Sequence, residues 1–454
     1  MTETEANPAA ASDAARYDAP GDPVESDGPN DGLDDIRRRA RDRDPRGHTV
    51  HAWLAAFATA CLTGPTSLAE FALAPVLLMY VLRTWCLRDV FWHTFREPIV
   101  LAVLAFAAWL FLGMLWTDAE MRTALDEPAN LRWCFAIGLF WPVLDRRRLI
   151  IGGLVVGLVA GQLVQLYHGL GEVLGFETPF DRFAGRVSGW WDPAVSGGVL
   201  TVAFALQVPT AFMGSGRARW TAIALAVIAA AGLVATGARG GWLAAMGVAG
   251  VTLLAAVRTG KGRNAALVCL AAGVVGVGVG AVAPPIRERV TDAVQQVRTA
   301  VSEGDYSGDV SARIGMMVWS GRAFLDQPLV GQGTSGYSQW AGENGAEGQW
   351  LHQHAHNTWT HLAGCNGVIG VGLFGVLMGA AFAGAWTWAR GAFETVAAAP
   401  LFALLGLLLF TMFDVLHASG QTAAMLAALL ALSMPKRGGQ GGPGERAAQP
   451  GGDA

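Results

Sequence analysis

Residues 219–257 read RWTAIALAVIAAAGLVATGARGGWLAAMGVAGVTLLAAV, two apolar runs joined by a short glycine-rich turn. Arg219 and Arg239 are the only charged residues in this stretch. A hydrocarbon core about 30 Å thick needs roughly 20 residues of α-helix, so each run comes close to crossing a bilayer. The stretch therefore predicts two membrane helices that meet at Arg239 on one side of the membrane.

The rest of the chain has a similar composition. Of its 454 residues, 52% are hydrophobic and 15% are charged, whereas soluble proteins carry roughly 25% charged residues. The cysteines show neither zinc-site nor CxxC spacing, and no basic cluster has the form of a nucleic-acid surface. We therefore expect a protein in contact with membrane lipid, with no cofactor, no metal and no nucleic-acid partner.

Twelve apolar segments follow one another along the chain. They lie near residues 50–64, 67–83, 98–116, 129–144, 149–172, 193–213, 219–236, 240–257, 264–284, 362–388, 396–413 and 417–434. This pattern predicts an all-α, polytopic integral membrane protein with about 12 transmembrane helices. With the N-terminus inside, most basic residues fall on cytoplasmic turns, as the positive-inside rule requires.

The apolar segments divide the chain into five parts. We expect a disordered cytoplasmic tail at 1–47, transmembrane helices 1–9 at 48–284, one large helical periplasmic loop at 285–361, transmembrane helices 10–12 at 362–434, and a disordered cytoplasmic tail at 435–454. The tails are rich in Ala, Gly, Pro and charged residues and lack apolar periodicity. Within the loop, apolar residues at helical spacing predict one amphipathic helix from Ile286 onward and another from about Ser311 to Leu325.

Histidines cluster just before the tenth predicted membrane helix, at His352, His354, His356 and His361. They could bind a metal ion, cap or anchor the helix at the membrane surface, or act in catalysis. The third interpretation is favoured because neutral imidazole, with a reference pKa of about 6.5, is the usual acceptor of a hydroxyl proton near neutral pH.

Two arginines stand in short turns on the predicted outer side, Arg186 and Arg239, each between glycines. A guanidinium group binds phosphate oxygens in a bidentate manner, so converging arginines would fit a lipid diphosphate. The alternative for each residue is an ordinary position at the membrane interface, with the charged group in water.

These motifs together resemble one known family. His356-Asn357, followed after nine residues by Gly367-Val368-Ile369-Gly370, is similar to the H-[NSQ]-x9-G-x-x-G signature of the O-antigen ligase family. Three further stretches resemble its arginine motifs: Arg186-Val187-Ser188-Gly189, Thr236-Gly237-Ala238-Arg239-Gly240-Gly241-Trp242, and Arg313 followed by Pro328-Leu329-Val330-Gly331-Gln332-Gly333. The resemblance spans roughly residues 180–375. The chain departs from the family at Ala238, where Ser is more usual, and at Trp190-Trp191-Asp192.

The resemblance implies transfer of a glycan from undecaprenyl diphosphate to a sugar hydroxyl of lipid A-core, during lipopolysaccharide synthesis. The active site would face the periplasm from the bacterial inner membrane. His356 would be the general base, and Arg186, Arg239 and Arg313 would hold the diphosphate. Asn357, His354, Gly367 and Gly370 would support the site, although His354 remains a second candidate for the base.

Two other functions fit parts of the sequence. An O-antigen polymerase of the same superfamily would use the same arginine and histidine chemistry with a second lipid-linked glycan as acceptor. An oligosaccharyltransferase with a protein acceptor is less favoured because no extra C-terminal domain is visible. A transporter would place ionisable residues inside membrane helices and show repeated halves, but the acidic candidates fall near helix ends and no repeat is found.

Overall fold

The computed structural model describes residues 33–180, 187–260, 284–346, 354–390, 393 and 396–435. Within these ranges the chain forms α-helices and short 3-10 helices, and no strand is present. The predicted all-α class is therefore confirmed. The predicted segment 264–284 lies outside the described residues.

Seventeen α-helices are described, and we number them in chain order. They are α1 (Leu33–Arg43), α2 (Pro45–Cys61), α3 (Thr66–Leu82), α4 (Thr84–Thr94), α5 (Pro98–Gly113), α6 (Met121–Asn130), α7 (Phe135–Phe140), α8 (Arg147–Leu174), α9 (Pro193–Met213), α10 (Gly216–Thr236), α11 (Arg239–Arg258), α12 (Pro284–Ser302), α13 (Asp309–Asp326), α14 (Tyr337–Glu343), α15 (Thr358–Ala389), α16 (Ala399–Phe410) and α17 (Gly420–Leu432). Short 3-10 helices at Leu131–Cys134, Trp141–Arg146 and Val396–Ala398 extend α6, α7 and α16.

Several of these helices have the length and composition of membrane spans. Five helical stretches in the described chain qualify, and a sixth results if α3 and α4, bent by 108° relative to each other, form one span. Three shorter helices, α5, α16 with its preceding 3-10 turn, and α17, are also apolar. The chain is thus a multi-pass membrane protein, and the count of twelve spans stays a prediction.

The centre of the bundle is α9, which is buried along nearly its whole length. It packs against α10, α11 and α16. Small residues permit close contact, because the Cα of Gly197 faces Gly241 and the hydroxyl of Thr201 donates to the Gly241 carbonyl at 3.1 Å. Such small residues let membrane helices approach through van der Waals packing. As a result, the N-termini of α9 and α11 are held side by side.

The N-terminal boundary differs from the predicted tail at 1–47. Residues 33–43 form α1, and Ile36 and Ala40, one helical turn apart, are both buried. Arg37 lies over the ring of Trp141, with its guanidinium carbon 4.3 Å from the centroid. The composition of this segment is too polar for a span, but one narrow face packs on the bundle. Residues 1–32 and 436–454 lie outside the described residues.

The predicted loop contains the two expected helices. α12 and α13 match the amphipathic patterns, and α13 packs along α15. The sequence did not indicate α4, α6 or α14, which are short and of mixed polarity. Of these, α6 proves important because it carries a buried glutamate, Glu127.

Two buried arginines connect helix ends on the side of the bundle away from the Arg239 turn. Arg83, between α3 and α4, is 1% exposed and donates to the Asp44 carboxylate at 2.9 Å and lies 3.0 Å from His51 Nδ1. Arg147, at the start of α8, donates to the carbonyls of Leu432 and Ala397. These guanidinium groups therefore connect separate helices rather than extending into water.

We predict that Arg83→Ala strongly destabilises the protein. Removing Arg83, which is 1% exposed, leaves the Asp44 carboxylate, which is 21% exposed, without its partner, a loss of about 1–3 kcal/mol. Arg88→Ala is the control, because Arg88 lies one turn further along α4 and is exposed. The midpoint of thermal unfolding in detergent should fall for Arg83→Ala and stay near wild type for Arg88→Ala. Equal midpoints for the two variants would contradict this role.

Candidate active site

A cavity of about 450 Å³ opens where four helices begin. Its wall includes Pro193 at the start of α9, Arg239 at the start of α11, Asp309 at the start of α13, and His356, two residues before α15. Helix N-termini carry partial positive charge and unpaired N–H groups, so their convergence favours an anion. The backbone arrangement at these helix ends thus favours an anion in the cavity.

Two arginines line this cavity, Arg239 and Arg313. Arg313 belongs to the second turn of α13, and its Nη1 donates to the carbonyl of Phe413 at 3.3 Å. Two carboxylates, Asp309 and Asp414, also line the cavity. The acidic and basic side chains that line the cavity are therefore equal in number.

The glycine after Arg239 is required by close packing. A Cβ atom at Gly240 would lie 2.4 Å from the Cβ of Phe413, in the turn that follows α16. Any side chain at this position would push that turn away from α11. Since the turn also carries Asp414, the glycine brings Arg239 and Asp414 to the same cavity.

His356 faces the carboxylate of Asp414. Its Nδ1 lies 3.5 Å from Asp414 Oδ1, and the two side chains are 19% and 13% exposed. The backbone of His356 has φ 47°, in the left-handed region that non-glycine residues rarely adopt. Such strain persists only where surrounding contacts impose it. An imidazole with one nitrogen toward a carboxylate is oriented to accept a proton at the other.

His354 lies beside this pair. Its ring centroid is 4.5 Å from that of His356, and its Nε2 is 3.9 Å from Asp414 Oδ1. Burial, together with the neighbouring His356, lowers the pKa of His354 to about 4, although Asp414 acts in the opposite direction. Burial raises the pKa of Asp414, but its hydrogen bond and charge interaction with His356 outweigh burial and lower it. At neutral pH the cluster thus holds a neutral His354 and an ionised Asp414.

The start of α15 is tied to the turn that carries Asp414. Asn357 caps the helix, since its Oδ1 accepts the N–H groups of Trp359 and Thr360, and its Nδ2 donates to the Met412 carbonyl. The hydroxyl of Thr358 donates to the Asp414 carbonyl at 2.8 Å and accepts the N–H of Leu416. These bonds hold His356 and Asp414 in fixed relation.

α15 is broken at Gly367, which has φ 63° and ψ −167°. The N–H groups of Val368 and Ile369 donate to the carbonyls of Pro328 and Leu329, at 2.9 and 3.4 Å. A Cβ atom at Gly367 would lie 2.2 Å from the Leu329 oxygen. Two separate stretches that resemble the family, Pro328–Gly333 and Gly367–Gly370, are therefore in direct contact. Gly370 is buried one turn further on.

The structure gathers three predicted site residues at one cavity, Arg239, Arg313 and His356. His354 and Asn357 adjoin it, and Gly367 and Gly370 lie behind it in α15. Arg186 is outside the described residues. The N–H of its neighbour Val187 bonds the carbonyl of Ala235, just before the Arg239 turn, at 3.3 Å.

The sequence left the role of Asp414 open and did not single out Glu127. Asp414 follows an apolar helix and could equally have been a helix-end residue. Glu127 lies in a polar segment, where no pattern signals burial. Both belong to histidine–carboxylate sets close enough to hold a metal ion, His354–His356–Asp414 and Glu127–His361–His417. The expected metal independence stays a prediction.

The apolar helices around this cavity define the chain as a multi-pass membrane protein. A family model described as O-antigen ligase matches residues 224–375. Over these residues the chain is similar to the O-antigen ligase family. The match includes Arg239, Arg313 and His356 but not Arg186, Asp414 or Glu127. No protein with a curated description matches the chain.

We predict that Gly367→Ala disrupts this region, because alanine would be strained at φ 63° and would collide with the Leu329 carbonyl. The cost is on the order of 1–3 kcal/mol. Gly372→Ala is the matched control, since a Cβ atom there meets nothing within 4 Å. The unfolding midpoint should fall for Gly367→Ala only. An unchanged midpoint in Gly367→Ala would show that the break is not needed.

Proposed function

We propose that the protein is an O-antigen ligase that transfers a glycan from undecaprenyl diphosphate to a sugar hydroxyl of lipid A-core. The observation that carries the proposal is the single cavity lined by Arg239, Arg313 and the His356–Asp414 pair. Cations and a base are the two components that this transfer needs. The similarity of residues 224–375 to the O-antigen ligase family supports a lipid-linked donor and a lipid A-core acceptor in general.

The diphosphate of the donor would bind between Arg239 and Arg313, next to the N-termini of α9, α11 and α13. Negative charge grows on the diphosphate as the bond to the anomeric carbon breaks. Fixed arginines and helix N-termini stabilise that charge without reorganisation during the reaction. Arg186 would join them, a role that rests on the family resemblance.

His356 would remove the proton of the acceptor hydroxyl while the hydroxyl oxygen attacks the anomeric carbon. The new glycosidic bond forms as the bond to the diphosphate oxygen breaks, so inversion of configuration is expected. Asp414 stabilises the imidazolium that results, because an ionised carboxylate faces the ring. His354 is the weaker candidate for the base, since its lowered pKa makes it a poor proton acceptor.

The donor and acceptor are both membrane lipids, so the cavity would open at a membrane surface. The family resemblance favours the periplasmic face of the inner membrane. The basic residues that the sequence places on the opposite turns are consistent with this orientation.

His356→Ala should lower ligation about 10²–10⁴-fold, the usual contribution of a general base. The measurement is the ligation rate of purified protein in liposomes with lipid-linked glycan and lipid A-core. His354→Ala serves as the control and should stay within a few-fold of wild type. A rate for His356→Ala close to wild type would reject the catalytic assignment.

Arg313→Ala should weaken donor binding about 10–100-fold, since a hydrogen bond to a charged group contributes about 1.5–3 kcal/mol. The matched control is Arg322→Ala, because Arg322 lies on the same helix, exposed and over the ring of Trp319. Photo-crosslinking of an undecaprenyl diphosphate probe measures the difference. Equal crosslinking in both variants would refute the phosphate role of Arg313.

A further inference from the structure

A second polar cluster lies buried next to the cavity, centred on Glu127 of α6. Its Oε1 accepts from His361 Nε2 at 2.9 Å and from the hydroxyl of Ser335 at 2.6 Å. Its Oε2 is 3.2 Å from His417 Nε2. Glu127, His361 and His417 are all at most 5% exposed. Both carboxylate oxygens thus have hydrogen-bond partners. Apolar side chains would fill the same space without the cost of removing a charge from water.

The cluster joins four segments that are far apart in sequence. Glu127 comes from α6, Ser335 from the turn before α14, His361 from the first turn of α15, and His417 from the turn after α16. Ser335 has φ 59°. Among the described residues, Ser335 and His356 are the two non-glycine residues with positive φ. Backbone strain therefore occurs at two places, the predicted base and this cluster.

Each histidine of the cluster lies within five residues of one member of the reacting pair along the chain. His361 accompanies His356 at the N-terminus of α15, and its N–H bonds the carbonyl of Asn357. His417 accompanies Asp414 in the turn between α16 and α17. Glu127 bonds both histidines at once. Glu127 therefore connects the chain segment of His356 with that of Asp414, in addition to the hydrogen bonds of Thr358.

We propose that Glu127 is a positioning residue that sets the relation between His356 and Asp414. The inference rests on the proposed function. It assigns to the first half of the chain, outside the range matched by the family model, a residue on which the catalytic geometry depends. The charge of Glu127 is what matters, since a carboxylate accepts from two imidazole N–H groups and a hydroxyl together.

The test is Glu127→Gln, which keeps the size of the side chain but replaces one acceptor by an NH₂ donor. That donor would face an imidazole N–H, and the two chain segments would separate slightly. Misplacement of about 1 Å can cost about 10²-fold in rate. We expect kcat for ligation in liposomes to fall about 10–100-fold with the KM for the lipid-linked donor unchanged, because Arg239 and Arg313 lie on other helices.

The matched control is Asp126→Asn, which removes a neighbouring but exposed carboxylate of the same helix and should leave kcat unchanged. His417→Gln retains a donor near the Nε2 position and should keep most of the rate, whereas His417→Phe should reproduce the loss. If the cluster contributes to stability alone, both variants should have the wild-type kcat once the rates are normalised to the amount of folded protein.

A double-mutant cycle separates positioning from stability. If Glu127 acts through the pair, Glu127→Gln should reduce kcat much less in an Asp414→Asn background than in the wild type. Independent, multiplicative losses would overturn the proposal. So would a wild-type kcat for Glu127→Gln, or a stoichiometric metal ion bound by purified wild type and lost in Glu127→Gln.

The two proposals fail in different ways. An active His356→Ala protein would reject the proposed function whatever Glu127 does. An inactive His356→Ala protein with a wild-type Glu127→Gln protein would reject only the positioning role.

Discussion

The break in α15 at Gly367 is the contact on which the rest of the site depends. A continuous helix would bond Val368 N–H to the carbonyl one turn before it, but here Val368 and Ile369 bond the Pro328–Leu329 carbonyls instead. The carbonyl of Gly364, which Val368 would bond in a continuous helix, accepts the N–H of Gln332 at 2.9 Å, and the carbonyl of Asn366 accepts the indole N–H of Trp109 from α5. Buried backbone groups in a membrane must find such partners. The break thereby joins α5, α13 and α15, and α13 carries Arg313 while α15 begins beside His356.

The charges at the cavity indicate what would favour an anion there. Two arginines and two aspartates line it, and Arg239 and Asp309 are exposed. A diphosphate would add negative charge, and the helix N-termini that surround the cavity offset part of it. The acidic and basic side chains are equal in number, so the backbone is what favours the anion.

Much of the fold could be predicted because membrane helices have a clear signal. The segment 193–213 is reproduced residue for residue by α9, since both its ends are set by local chemistry, Asp192 with Pro193 at one and Gly214 at the other. α4 and α6 were not predictable, since their short, mixed sequences obtain their burial from tertiary contacts. The same holds for α1, whose buried Ile36 and Ala40 form too narrow a stripe in a polar segment to be distinguished from a tail.

Predictability within the site follows the same division. Arg239, Arg313 and His356 stand in motifs where glycines or prolines mark an unusual backbone, so the sequence indicates them. Asp414 and Glu127 carry no such mark, because their environment is created by segments that are far apart in sequence. Proximity in sequence groups His361 with the other histidines of its cluster. In the structure, it faces Glu127 in the interior whereas His356 faces the cavity, and a change of backbone direction at His356 separates the two roles. A cluster of like residues in sequence therefore supplies both the candidate base and the buried support behind it.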